Sequence, residues 1–400
     1  MDILMLSDVY FPRVNGVSTS IRTYAKALVA LGHRVTLVAP DYGEAFDRHA
    51  TEFGEGFELV RLPARQIFFD PEDRLIRASA MRGTVRELAQ RDWDVVHVHT
   101  PFRAHQIGVR VGERCNVPVV ETCHTHFEEY AAHYLPWFPA GLLRALARGA
   151  TRRLCHAVDH LIVPTAEMEQ VLRGYGVATP STVLPTGIDL AEFAGGDGDA
   201  FRSKHGIRQE RPVLATVSRL AVEKNIEFLL RVVQRLVAEF PALLFVIAGE
   251  GPDAARLHAL CIELGLEAHV RFFGNLDRRG ELLDCYRAAD AFVFASATET
   301  QGLVLIEALA LGVPVVSTAI LGTATVLRGS HGAVTAPMDE AVFAGTVAQV
   351  LRDPQLRHSL AQAGPMDARA WSNDVLIGRV VDLYAGARPA GPLHPAGAGQ

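Results

Sequence analysis

Lysine is nearly missing from this chain. Of 400 residues only Lys26, Lys204 and Lys224 are lysine, and arginine carries the rest of the positive charge. A net basic character is missing too. Lys and Arg total 39 against 45 Asp and Glu, a formal charge of -6. This excludes a generally basic, nucleic-acid-coating protein but leaves room for a local basic patch. Cysteine is sparse: Cys115, Cys123, Cys155, Cys261 and Cys285 are odd in number, widely spaced and without a CxxC pair. That argues for a reduced, cytoplasmic compartment and against a disulfide framework. No window offers 18 or more apolar residues, so no spanning helix is expected. The run Met1–Asp8 lacks a basic region before its short apolar stretch and reads as a buried first strand, not a signal peptide. No repeat of solenoid length is visible.

What is present is a chain able to bury real cores: 49% of residues are hydrophobic and only 21% charged. Its length suits two or three domains. Short apolar runs alternate with helical periodicity. Strands are predicted at 2–7, 34–39, 94–99, 117–121 and 160–163, with helices near 17–31, 75–90, 104–115, 140–157 and 166–174. The Gly/Asp-rich stretch Ala194–Asp199 reads as a linker. A second alternation follows, with strands at 212–217, 243–248, 270–273, 291–295 and 313–317. Its helices lie near 225–239, 253–264, 279–288 and 303–311, then a helical region spans about 340–385. The pattern is α/β: two doubly wound, Rossmann-like domains, each binding ligands at the carboxyl ends of its strands, expected to face each other across one cleft.

The strongest local signal is Glu299-Thr300-Gln301-Gly302-Leu303-Val304-Leu305-Ile306-Glu307. Gly302 opens a helix, so the amides of 302–304 can meet a phosphate, with Glu299 and Glu307 placed to accept bonds from sugar hydroxyls. The alternative is a helix cap and a solvated surface charge. Arg219 and Lys224 follow the first strand of the second half and form a diphosphate clamp at a helix start. The alternative is a surface pair bonded to Glu223. Gly249-Glu250-Gly251-Pro252 suits close backbone approach to a ligand, or is a connecting turn. Gly16 sits in the first strand-to-helix loop. The full Gly-x-Gly-x-x-Gly fingerprint is absent, which disfavours NAD. His97 and His99 point to one face of a strand without completing a metal set. His124 stands at a strand's carboxyl end, where it could contact substrate or assist proton transfer. Residues 130–158 carry Arg144, Arg148, Arg152 and Arg153 and no acid, with Trp137, Phe138, Leu142, Leu143 and Leu146 beside them. That stretch suits either an anionic membrane surface or a solvated helix packed on its own domain.

Together these motifs resemble glycosyltransferase family 4, retaining enzymes of the GT-B fold. The resemblance covers nearly the whole chain. It rests on Phe11-Pro12-x-x-Asn15-Gly16-Val17, His97-Val98-His99-Thr100, His124-Thr125, Pro185-Thr186-Gly187-Ile188-Asp189, Ser218-Arg219-Leu220…Lys224, Gly249-Glu250-Gly251-Pro252, and the Glu299…Glu307 stretch with Ala308–Val315. It implies an acceptor-side domain 1–190, rejoined by a C-terminal helix near 371–385, and a nucleotide-sugar domain 191–370; the Gly/Pro/Ala-rich end, 386–400, reads from its composition as a disordered tail. It implies that Arg219 and Lys224 bind the donor diphosphate and that Glu299 holds donor-sugar hydroxyls, with the amides of Gly302 and Leu303 on sugar or phosphate. Glu307 would hold the ribose, His124 would sit by the transferred sugar, and Gly16, Gly249 and Glu250 would line the donor. No metal or other cofactor is implied. Many relatives carry two glycines where this chain has Asn15-Gly16. The stretch His124–Tyr134 with Glu299–Gly302 looks like bacterial diacylglycerol glucosyltransferases, peripheral enzymes of the inner face of the plasma membrane. The expected reaction moves a sugar, with UDP-glucose favoured, to a membrane glycerolipid. The alternatives are a GDP-mannose-dependent mannosyltransferase, or an enzyme of surface polysaccharide or lipopolysaccharide assembly. Other enzyme classes that fit two such domains are a GT-B sugar epimerase and a glycogen-phosphorylase-like enzyme, which would need a pyridoxal lysine where only Lys204 and Lys224 lie in the second half; the binding alternative is a sugar-binding module without activity.

Overall fold

A computed structural model describes residues 1–13, 15–43, 53–66, 74–124, 140–278 and 280–389. These fall into two compact units. The first takes residues up to Thr186 and again from Leu376; the second is Gly187–Val375.

The first unit contains β1 (Asp2–Leu6), β2 (Arg34–Pro40), β3 (Phe57–Leu62), a small antiparallel pair β4 (Ala64–Gln66) and β5 (Arg74–Ile76), then β6 (Val95–Val98), β7 (Val119–Thr122), β8 (His160–Val163) and β9 (Ser181–Val183). Seven of them pair in parallel in the order β3-β2-β1-β6-β7-β8-β9. Ile3 sits opposite Val35 on one side and Val95 on the other. A parallel sheet is covered on both faces, so its central strands must be apolar throughout. Leu4, Leu6, Val96 and Val98 pack with Ile107 and Val111 of the Arg103–Cys115 helix. Ile3, Met5 and Val95 pack on the other face with Ile21, Tyr24 and Leu28 of the Gly16–Ala30 helix, and with Val380 and Tyr384 of the final Asn373–Gly386 helix. The last helix therefore completes the first unit's core.

The second unit contains β10 (Val213–Val217), β11 (Leu244–Ala248), β12 (Val270–Gly274), β13 (Ala291–Phe294), β14 (Val315–Ser317) and β15 (Ala333–Thr335), parallel in the order β12-β11-β10-β13-β14-β15. The Ile226–Leu236 and Glu340–Arg352 helices cover one face through Leu229, Val233, Phe343 and Val347. The Glu281–Arg287 and Leu303–Ala310 helices cover the other through Tyr286, Leu305 and Ile306.

The structure departs from the sequence reading at several places. Strands β3, β4, β5, β9 and β15 were not anticipated; they are short or lie at the sheet edge, where half-exposed residues blur the apolar pattern. The stretch expected as a linker is packed: a Cβ on Gly196 would lie 2.9 Å from the Leu283 carbonyl carbon, and one on Gly198 2.4 Å from the Arg287 oxygen. Asp197 then caps a helix, Gly198–Lys204. The division between units lies at Thr186/Gly187 and the re-entry at Val375/Leu376. The region 340–385 is three helices, interrupted at Asp353-Pro354 and at Ser372. The last of them runs to Gly386, and residues 390–400 of the expected tail lie outside the described residues.

Each sheet reverses its winding at one point, between β1 and β6 and between β10 and β13. In doubly wound sheets the crevice for a ligand opens at the carboxyl ends flanking such a point.

Candidate functional site

In the second unit the reversal point is lined by the loops leaving β10, β13 and β14. The first carries Ser218-Arg219-Leu220. It is seated on the Gly-rich turn after β11: Leu220 donates its amide to the Glu250 carbonyl at 2.9 Å and Ser218 to the Ala248 carbonyl at 3.1 Å. A Cβ on Gly249, whose φ is +130°, would lie 1.9 Å from the Ser218 oxygen; one on Gly251 would lie 2.3 Å from the Leu220 oxygen. The glycines of this turn are thus required by the Arg219 loop itself, the connecting-turn alternative, rather than by open space for a ligand. The Glu250 carboxylate is exposed and accepts from Asn275 Nδ2 at 3.2 Å.

Arg219 and Lys224 do not share one partner. Arg219 Nη1 is 3.8 Å from Glu223 Oε1, and Glu223 is buried, so this is no surface pair. Lys224 Nζ is paired with Glu299 Oε1. The β10 and β13 exits are tied together: Ser296 donates to the Glu223 carbonyl at 2.9 Å, and Asn225 Nδ2 to the Ala295 carbonyl at 3.3 Å. That tie brings Lys224 and Glu299, 75 residues apart, into contact. Ser218 Oγ and Thr318 Oγ1 are buried there without hydrogen-bond partners. Buried hydroxyls are usually paired, so these two mark a place where a polar ligand would complete the structure.

Gly302, at φ 87° and ψ 57°, caps the Leu303–Ala310 helix in the left-handed region that favours glycine. Glu307 lies in the second turn of that helix and is 2% exposed, which overturns the alternative of a solvated surface charge. Its Oε1 accepts from Arg278 Nη2 at 2.5 Å and its Oε2 from the Tyr286 hydroxyl at 2.9 Å. The carboxylate in turn holds the Arg278 guanidinium above its ordinary pKa. Nothing in the motif pattern singles out Arg278 or Tyr286.

In the first unit, His97 on β6 and His99 just after it point to one face, with ring centroids 4.0 Å apart. His97 is spent on Thr122 Oγ1 at 2.7 Å and on the Tyr384 hydroxyl at 2.6 Å. His99 Nδ1 meets His124 Nε2 at 3.0 Å, with the two rings stacked. Burial pushes His97 down to about 3, His124 down to about 4 and His99 well below the usual histidine range. All three rings are neutral near pH 7. His124 therefore acts there as a neutral hydrogen-bonding ring rather than a stored proton. Among the described residues no group of three His, Cys, Asp or Glu side chains is arranged to hold a metal. Asp8, at the end of β1, accepts from Thr100 Oγ1 at 2.8 Å, from the Ala104 amide at 3.0 Å and from the Arg103 amide at 3.1 Å. Burial outweighs these bonds and raises its pKa to about 6.

Gly16 is the exposed first residue of its helix, and a Cβ placed on it would meet no atom within 4 Å. Asn15 is the cap, its Oδ1 accepting from the Ser18 amide at 2.8 Å. That cap gives Asn15 a structural reason of its own.

The arginine stretch forms the Ala140–Cys155 helix. Leu143 and Cys155 hold it down, whereas Leu142 and Leu146 are 51% and 60% exposed. Arg144, Arg148 and Arg152 are exposed and, with Tyr175, line a groove of about 390 Å³. The Arg148 guanidinium sits 5.4 Å over the Tyr175 ring. Trp137 and Phe138, expected beside it, lie outside the described residues. Among the described residues no helix is long and apolar enough to cross a membrane.

Comparison with known proteins follows the same division. Residues 14–192 match the family described as Glycosyltransferase Family 4, and residues 197–366 the family described as Glycosyl transferases group 1. An alpha-monoglucosyldiacylglycerol synthase of Streptococcus pneumoniae is 32% identical over 323 residues, 79% of this chain and 71% of its own. A D-inositol 3-phosphate glycosyltransferase of Kribbella flavida is 32% identical over 347 residues, 82% of this chain and 78% of its own. Among solved structures, Anabaena HepE in complex with UDP-glucose has a TM-score of 0.77 at 16% identity, over 96% of this chain and 99% of that one. At that identity the likeness speaks for the fold alone.

Proposed function

Because the chain belongs to glycosyltransferase family 4 and has the GT-B fold, we propose that it is a retaining, metal-independent hexosyltransferase that moves glucose from UDP-glucose to a membrane glycerolipid. The observation that carries the donor half is the Arg219, Lys224 and Glu299 set at the reversal point of the second sheet, beside two buried hydroxyls without partners. Two cations there suit a diphosphate and its charge as the nucleotide leaves. Glu299 takes donor-sugar hydroxyls once the phosphates claim Lys224. The amides of Gly302 and Leu303 meet sugar or phosphate, Glu307 meets the ribose, and Gly249 and Glu250 border the same ligand. Gly16 and His124 in the first unit serve the transferred sugar and the acceptor. His99 keeps His124 in place.

The acceptor half rests on the Ala140–Cys155 helix. Its exposed Leu142 and Leu146 beside Arg144, Arg148, Arg152 and Arg153 give an apolar ridge flanked by positive charge, which fits an anionic membrane at the cytoplasmic face of the plasma membrane. The similarity to a diacylglycerol glucosylating enzyme supports it. The similarity to a D-inositol 3-phosphate glycosyltransferase favours a second reading, a small phosphorylated polyol as acceptor.

One experiment separates them. The purified protein is incubated with UDP-glucose and either diacylglycerol in anionic vesicles or inositol phosphate, with UDP release and product mass followed. Glucosyl-diacylglycerol is the expected product. Inositol-phosphate glycoside alone moves the acceptor to the second reading, and binding without UDP release leaves a sugar-binding module. Glu299→Ala should cut transfer by about a hundredfold or more, the scale of one lost transition-state contact. An unchanged rate would remove Glu299 from the site.

A further inference from the structure

Glu307 alone is an incomplete partner for a sugar diol. A carboxylate only accepts, whereas each ribose hydroxyl both donates and accepts. The missing donor stands beside it. Arg278, from the loop after β12, uses Nη2 on Glu307 Oε1 and is about three-quarters buried. Among the described residues its guanidinium makes no other hydrogen bond, so several of its five N–H groups remain unused next to the carboxylate. Glu192 attracts the same charge from further off. Tyr286 holds the second carboxylate oxygen, so the plane of Glu307 is fixed from two sides while each oxygen keeps a lone pair.

We infer that Arg278 is a nucleotide-binding residue: with Glu307 it forms an acceptor–donor pair that grips the ribose cis-diol, the carboxylate taking the hydroxyl hydrogens and the guanidinium donating to a hydroxyl oxygen. This rests on the reading of the second unit as the nucleotide site. Tyr286 is the positioning residue of the pair, since it touches only Glu307 among these groups.

The test is isothermal titration of the full chain with UDP, 2′-deoxy-UDP and 3′-deoxy-UDP. Wild-type protein should bind UDP more tightly than at least one deoxy analogue. Arg278→Met should weaken UDP about tenfold or more, the worth of a hydrogen bond from a charged donor, and weaken that analogue much less, so that the gap narrows. An equal loss for all three nucleotides would mean that Arg278 only balances the Glu307 charge, and the inference falls. Arg278→Met leaves a buried carboxylate unpaired. If it melts too early to titrate, the wild-type chain still decides: UDP and both deoxy analogues bound equally well would show that no donor at 278 grips the diol, and the inference falls. The underlying reading fails differently: a folded Glu307→Gln protein that binds UDP as wild type does would show that the nucleotide does not sit on Glu307 at all.

Discussion

Lowering the pH from 7.5 to 5 should strip several kcal/mol from the first unit, and the histidines after β6 and β7 are the reason. His97 and His99 are buried and His124 half-buried; burial pushes His97 down to about 3, His124 down to about 4 and His99 well below the usual histidine range. In the unfolded chain each returns to about 6.5. Between these limits the unfolded state binds more protons, so stability falls as the pH falls through 6.5. At pH 5 the unfolded ring is favoured by about 1.5 pH units over the folded one. At 1.36 kcal/mol per unit that is about 2 kcal/mol for each of His97 and His124, about 4 kcal/mol together, and His99 adds to it in the same direction. The figure does not depend on how far below 5 each folded value lies. Asp8 works the other way. Its folded pKa of about 6 lies above the usual 3.8, so its burial costs less as it protonates. Over the same interval that returns about 1.5 kcal/mol. The net loss from His97, His124 and Asp8 is about 2–3 kcal/mol, to which His99 adds, a large share of the 5–15 kcal/mol typical of a domain. His33 and His160 are shifted in the histidine direction and add to it.

The assay is urea unfolding at both pH values, read by pulsed hydrogen exchange in peptides from β6 and β7 so that the first unit is followed by itself. His99→Phe should lower stability at pH 7.5 and make the pH dependence shallower than in the wild type. A wild-type loss below about 2 kcal/mol, or histidine ring resonances that titrate near 6.5 in the folded protein, would refute the reasoning.

Gly249→Ala should cost about 2–4 kcal/mol, because alanine is strained at φ +130° and its Cβ falls on the Ser218 oxygen, and it should weaken UDP binding by moving the Arg219 loop. Equal melting temperature and UDP affinity would contradict that packing. Gly16→Ala should leave stability unchanged or raise it by about 0.5 kcal/mol, since its Cβ enters open space, yet lower transfer at least tenfold. Undiminished transfer would mean that no ligand requires the glycine. Replacing Arg144, Arg148 and Arg152 together by glutamine should remove about 3 kcal/mol of attraction to vesicles containing anionic phospholipid at low salt. If sedimentation with such vesicles is unchanged, this helix is not the membrane surface.

The parts of the fold that were readable in the sequence are those buried on both faces. Ile3–Leu6, Val213–Val217 and Leu244–Ala248 are unbroken apolar runs because helices cover them from both sides. The edges were not readable for the same physical reason. Phe57–Leu62 carries Glu58 and Arg61 among its apolar residues because the edge faces partly outward, and Thr36 and Arg91 then claim Glu58. The Gly/Asp stretch misled for another reason. Composition cannot separate a glycine that is loose from one pressed to 2.4 Å of a backbone oxygen, as a Cβ on Gly198 would be.

The site divides along a similar line. Residues within one loop or helix turn carry local signals, which is why Arg219, Lys224, Glu299, Gly302 and Glu307 stood out. Partnerships that cross between elements carry none. Lys224 finds Glu299 only because the β10 and β13 exits are bonded to each other, and Glu307 finds Arg278 and Tyr286 because β12 and the next helix bring them to its carboxylate. Lys224 and Glu307 are both engaged with opposite charges, so the proposed nucleotide sugar would exchange bonds with them rather than fill vacant ones. Lys224 can turn from Glu299 to a diphosphate that carries more charge, freeing Glu299 for a hydroxyl. Glu307, buried and held from two sides, cannot be released without leaving a charge unpaired, so the ligand has to join its partnership with Arg278. One half of the proposed donor site is thus switchable and the other fixed, a difference set by burial and not by the motif.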